Sequence, residues 1–134
     1  FKHINDSHGH DCGDAVLRAV SGRMRGHLRG DALIARWGGE EFLVLLEAAH
    51  CHDAVAAAER LRAAVGDAPF SLGALRVPVT ASLGVAAWTD DAQFAQALAA
   101  ADAALYAAKR GGRNRVVIAD APATDRALSA SAAA

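Results

Sequence analysis

Two adjacent glycines set between apolar runs constrain this chain more than any other feature. Leu33-Ile34-Ala35 leads into Trp37-Gly38-Gly39-Glu40, and Phe42-Leu43-Val44-Leu45-Leu46 follows at once. Two apolar runs joined across Gly-Gly form the pattern of a β-hairpin. The second run is apolar on both of its faces, which predicts a central strand lying under helices.

The remaining chain supplies those helices. From Asp14, apolar residues Leu17, Val20, Met24 and Leu28 recur at helical spacing, interrupted by Gly22 and Gly26. Val55, Ala58, Leu61 and Val65 mark a second amphipathic helix that stops at Gly66-Asp67-Ala68-Pro69. Phe94, Leu98, Ala101, Leu105 and Ala108 mark a third, closed by Gly111-Gly112. Between them, 70–77 reads as a small edge hairpin around Gly73, and Val79, Ala81, Leu83 and Val85 alternate as a strand. Residues 115–118 read as the last strand. Helices and strands alternate around a tight hairpin, so the sheet is expected to be mixed and the class α+β.

With 134 residues, 53% of them hydrophobic, the chain can bury one core and is too short for two ordinary domains. Its 14 basic and 15 acidic side chains nearly cancel, which argues against a broad electrostatic grip on nucleic acid or an anionic membrane. An anionic ligand must therefore be held by a local cluster. Cys12 and Cys51 follow no metal or redox spacing, which fits a reducing compartment, and a cytoplasmic location is expected. No run approaches the ~20 apolar residues that span a bilayer. The opening on Phe1-Lys2, with no leader, reads as a piece of something larger. From residue 120 onward there is little to bury, so 1–119 is expected to be the domain and 120–134 a disordered tail.

Three clusters could carry chemistry. At Gly38-Gly39-Glu40-Glu41 the glycines leave backbone uncovered for a ligand, and strand alternation sends the two carboxylates in different directions. A carboxylate beside such a turn suits Mg²⁺ bridging to phosphate oxygens; the same residues also suit a plain exposed hairpin tip. Asn5 and Asp14 match the edge of guanine, where a carboxylate accepts from N1–H and the amine. On spacing alone a turn residue and a helix cap are the better match. Lys109, Arg110 and Arg113 surround a helix end, where cations complement the dipole or bind phosphate. His8-x-His10 and His50-Cys51-His52 lack the further ligands of a metal site, and there is no Walker-type loop or nucleophile elbow.

Taken together the motifs resemble the GGDEF domains of bacterial diguanylate cyclases. The resemblance runs from Phe1-Lys2-x-Ile4-Asn5-Asp6-x-x-Gly9-His10-x-x-Gly13-Asp14, through Ala35-Arg36-Trp37-Gly38-Gly39-Glu40-Glu41-Phe42 and Ala58-Glu59-Arg60-Leu61-Arg62, to Thr80-Ala81-Ser82-Leu83-Gly84-Val85. It ends in Ala101-Asp102-x-Ala104-Leu105-Tyr106-x-Ala108-Lys109-x-x-Gly112-Arg113-Asn114.

The resemblance implies a ferredoxin-like mixed sheet flanked by helices, related to nucleotidyl cyclase and polymerase palm domains. It implies that two GTP molecules become cyclic di-GMP and two pyrophosphates across a homodimer, in second-messenger signalling. In that scheme Asn5 and Asp14 read guanine, and Glu40 binds Mg²⁺ (or Mn²⁺) as the catalytic carboxylate. Gly38 and Gly39 lie against the nucleotide, and Lys2, Lys109 and Arg113 hold phosphates. It further implies an upstream sensory or receiver domain, and a second metal-binding Asp on a strand before Phe1. Without that strand the chain is expected to be impaired. The family's Arg-x-x-Asp product site has as its counterpart Arg29-Gly30-Asp31, shortened by one residue, so Arg29 and Asp31 are expected to hold cyclic di-GMP weakly; Arg60 matches the secondary inhibitory arginine. The alternative is a non-catalytic module that binds GTP or cyclic di-GMP.

Overall fold

The computed structural model describes residues 2–48, 50–119 and 128–133. Its elements are α1 (Lys2–His8), α2 (His10–His27), the hairpin β1 (Leu33–Gly38) and β2 (Glu41–Leu46), and α3 (Cys51–Gly66). Then come β3 (Phe70–Leu72), β4 (Leu75–Val77), β5 (Ser82–Ala87), α4 (Phe94–Arg110), β6 (Val116–Ile118) and β7 (Leu128–Ala133). A short 3-10 turn, Asp91–Gln93, leads into α4, and the Asp90 carboxylate accepts the Gln93 backbone N–H at its start.

The main sheet has five strands in the order β1-β2-β7-β5-β6. All neighbours are antiparallel except β5 and β6, which run parallel with Leu83 opposite Val116. The expected mixed sheet is therefore present, and β2 lies inside it. Its pleat turns Phe42 and Val44 toward the core made with α2 and α3, where Val16, Leu17, Val20, Met24, Leu61 and Val65 are buried. Each such side chain contributes about 1.5–3 kcal/mol on leaving water. Leu83 and Val85 of β5 join the same core. The opposite face of β5 meets α4 so closely that a Cβ at Gly84 would collide with the Ala101 carbonyl and the Leu105 backbone nitrogen. Glycine at 84 is thus what lets α4 lie flat on the sheet.

Three expectations change. The helix read from Asp14 begins at His10, and the preceding turn is itself the helix α1, whose Ile4 packs on the core. Asp14 consequently lies in the second turn of α2 and Asn5 in the middle of α1, so neither is a cap; Gly9 occupies that position. The hairpin at 70–77 forms a separate two-stranded sheet rather than an edge of the main one. Lastly, Leu128–Ala133, expected to be part of a disordered tail, is β7, paired on both sides with Phe42 and Leu83 opposite Ala132. Residues 120–127 and Ala134, also assigned to the tail, lie outside the described residues. The serine and alanine run carries no hydrophobic alternation in sequence, and of its side chains Ala132 is buried in the core. Without β7, nothing in the main sheet would connect β1-β2 to β5-β6.

Candidate nucleotide site

The β1-β2 turn stands between α2 and α4 and is tied to both. Gly39 adopts φ +51°, a conformation that favours glycine, and the strand register shifts between Arg36 and Gly38. On one side the Arg36 Nε donates to the Gly39 carbonyl at 2.8 Å, while Nη1 lies 3.6 Å from Asp14 Oδ1 on α2. On the other side Lys109 Nζ, in the last turn of α4, donates to Glu41 Oε1 at 2.8 Å. Glu40 is half-buried on the turn between these two ties.

The two carboxylates of the turn therefore differ in their engagement, as the strand pleat requires. Glu41 is paired with Lys109, and Glu40 stands half-buried on the turn beside it. No group of three or more His, Cys, Asp or Glu gathers among the described residues. This donor set fits Mg²⁺ only as half of a shell, with Glu40 as the protein carboxylate and the rest from nucleotide phosphates and water, an arrangement that ion tolerates.

Asn5 carries a different signal. Its Oδ1 is buried without a hydrogen-bond partner, an acceptor that a ligand's N–H could satisfy. Past α4, Arg113 and Asn114 adopt left-handed backbone at φ 63° and 46°, and the Arg113 N–H closes on the Ala108 carbonyl at 3.0 Å. The Arg113 side chain is exposed there. Asn114 is fixed by Arg62 Nη1 on its Oδ1 at 2.9 Å and by its own N–H to Ser82 Oγ at 3.2 Å. The side chain of Lys2 and all of Phe1 lie outside the described residues.

Sequence reasoning singled out Glu40, Asp14 and Lys109 but missed what joins them. Arg36 and Glu41 are the connecting residues. Their signal was the charge placed immediately on each side of the Trp-Gly-Gly turn, which pattern alone cannot pair with elements 22 and 68 residues away.

A second cleft of about 270 Å³ lies at the far end of the sheet, and Arg29, Asp31 and Arg60 all line it, with Glu47, Asp53 and His27. Arg29 does not project from a helix: α2 has ended at His27, and the Ala32 N–H to Arg29 carbonyl bond of 3.2 Å closes a turn through Gly30 at φ +57°.

The fold is thus an α+β palm-like sheet whose glycine turn is tied to α2 through Arg36 and Asp14 and to the end of α4 through Glu41 and Lys109. Residues 1–115 match the family described as "Diguanylate cyclase, GGDEF domain". The chain is 43% identical over 119 residues to diguanylate cyclase DgcP of Pseudomonas aeruginosa, covering 89% of this chain and 18% of that protein. It superposes with TM-score 0.82 and 42% identity on diguanylate cyclase SiaD of Pseudomonas aeruginosa, solved with its activator SiaC, over 88% of this chain and 45% of that one. The active GGEEF domain of a diguanylate cyclase from Vibrio cholerae aligns with TM-score 0.75 and 35% identity, over 88% of this chain and 75% of that one. The chain belongs to the GGDEF family. It spans under a fifth of the length of DgcP.

Proposed function

We propose that this domain is the catalytic half of a diguanylate cyclase, holding one GTP and joining it to the GTP of a second copy. The observation that carries this reading is the intact Gly38-Gly39-Glu40-Glu41 turn, tied to Asp14 on one side and Lys109 on the other. Asp14 and Asn5 receive the guanine edge, and Gly38 and Gly39 let the ribose and phosphates approach bare backbone. Lys109 and Arg113, with Lys2, neutralise phosphate charge. Mg²⁺, or Mn²⁺, held by Glu40 would supply charge neutralisation at the transferring phosphoryl group. A 3′-oxygen of one nucleotide bonds to the α-phosphorus of the other as the bond to pyrophosphate breaks. Repeating the step in the opposite sense closes the ring. One site holds only one nucleotide, so two copies must face each other.

Such a domain works in the cytoplasm, where GTP is made, under an upstream sensory or receiver domain and without nucleic acid. Among the described residues no helix is long and apolar enough to cross a membrane.

One observation favours a second reading, a non-catalytic nucleotide-binding module. The resemblance puts another metal-binding Asp on a strand before Phe1, whereas β7, the strand beside β2, reads Leu-Ser-Ala-Ser-Ala-Ala and brings no carboxylate. Glu40→Gln separates the two readings. The amide keeps the shape and removes the charge that would hold Mg²⁺. In a longer chain that carries the upstream strand, it should abolish turnover and leave thermal melting unchanged; retention of more than a few per cent of the rate removes Glu40 from catalysis.

Product is held weakly in the cleft of Arg29, Asp31 and Arg60. Two guanidinium groups there face three carboxylates, Asp31, Glu47 and Asp53, a poor balance for a ligand with two phosphates.

A further inference from the structure

Arg36 touches two acceptors from different elements, the Gly39 carbonyl at 2.8 Å and the Asp14 carboxylate at 3.6 Å. A guanidinium suits this role because its planar fork presents several N–H groups in fixed directions, which a lysine ammonium does not. The side chains of Arg36 and Asp14 are 50% and 56% exposed, so their pairing adds little to folding. Its physical consequence is placement. The strand register shifts at this point and Gly39 has left-handed backbone, so the turn has few other constraints on its position relative to α2.

We propose that Arg36 is a positioning residue of the nucleotide site, fixing the Asp14 carboxylate relative to the Gly38-Gly39 turn and so sharpening the choice of guanine over adenine. The inference rests on the reading that Asp14 takes the guanine edge. Arg36 engages Oδ1, leaving the other oxygen for the base. Guanine offers N1–H and an amine there, whereas adenine offers the lone pair of N1. A carboxylate free to rotate can avoid that lone pair. One that is held cannot, so discrimination grows with fixity.

The test is calorimetric titration of GTP and ATP into the whole chain and its variants Arg36→Gln, Arg36→Lys, Asp14→Ala and the double variant Asp14→Ala/Arg36→Gln, with melting curves for each. Arg36→Gln should weaken GTP about tenfold, within the coupling range of residues in contact, while ATP changes less than about twofold. Arg36→Lys should behave like Arg36→Gln, because charge without the fork cannot make the two-point tie. In the Asp14→Ala background the Arg36 change should add less than about twofold, since Arg36 acts through Asp14. Equal losses for GTP and ATP would place Arg36 on the phosphates instead. Full recovery by lysine, or losses that multiply in the double variant, would also overturn the proposal. Those outcomes leave the base-site reading standing if Asp14→Ala still lowers GTP selectively. An Asp14→Ala variant that loses no selectivity removes that reading and this proposal with it.

Discussion

Asp14 shows how one residue's position can decide between chemistries. At the sequence level it suited a helix cap as well as a guanine reader. The structure moves the start of α2 to His10, so Asp14 sits in the second turn with its carboxylate in the solvent and near Arg36. It has no cap to lose. Asp14→Ala should therefore leave melting unchanged and weaken GTP by about 1.5–3 kcal/mol, the worth of hydrogen bonds to a charged group, without a comparable loss for ATP. Titration of both nucleotides checks this. A drop in stability equal to that of a lost cap, with both nucleotides affected alike, would return Asp14 to a structural role. Glu40 and Lys109 drew notice in the sequence because a carboxylate and a cation stand at a glycine turn and a helix end, and the structure brings Asp14 near the same turn. Arg36 and Glu41 were not, because their partners are brought to them only by folding.

At the scale of elements, the hairpin β1-β2 was legible because Gly-Gly between apolar runs has few other solutions, and α3 and α4 because their apolar periodicity is unbroken. The helix α1 was not, since Lys2–His8 offers one buried aliphatic, Ile4, and gains its helical form by packing rather than by pattern. The Arg29-Gly30-Asp31 spacing, one residue short, was the ground for expecting weak product binding, whereas the chain has already left the helix at His27 and Arg29, Asp31 and Arg60 share one cleft. The proposal of weak product binding rests instead on the surrounding carboxylates, Asp31, Glu47 and Asp53. Initial rates of an active longer chain should fall little as cyclic di-GMP is added. Potent inhibition that disappears in Arg29→Ala would show that the cleft binds product despite Asp31, Glu47 and Asp53.

For the whole molecule the sheet depends on β7, which the composition of the tail concealed. Central strands are normally recognised by β-branched and aromatic residues, and Leu-Ser-Ala-Ser-Ala-Ala has none. Its place is shown by backbone pairing, with β2 on one side and β5 on the other. Deleting 120–134 from this chain should expose two unpaired strand edges and remove the cooperative melting transition, or promote aggregation. An unchanged melting curve would show that the other four strands hold together without it. The central claim concerns two copies of this fold, each carrying half of a reaction. The most direct measurement is the initial rate of cyclic di-GMP formation from GTP and Mg²⁺ by a longer chain containing this domain and its upstream strand, with protein concentration varied. The rate should rise with about the square of concentration while the protein is mostly monomeric, releasing two pyrophosphates per cyclic product. A rate proportional to concentration in that range, or GTP bound and recovered unchanged, would contradict the account.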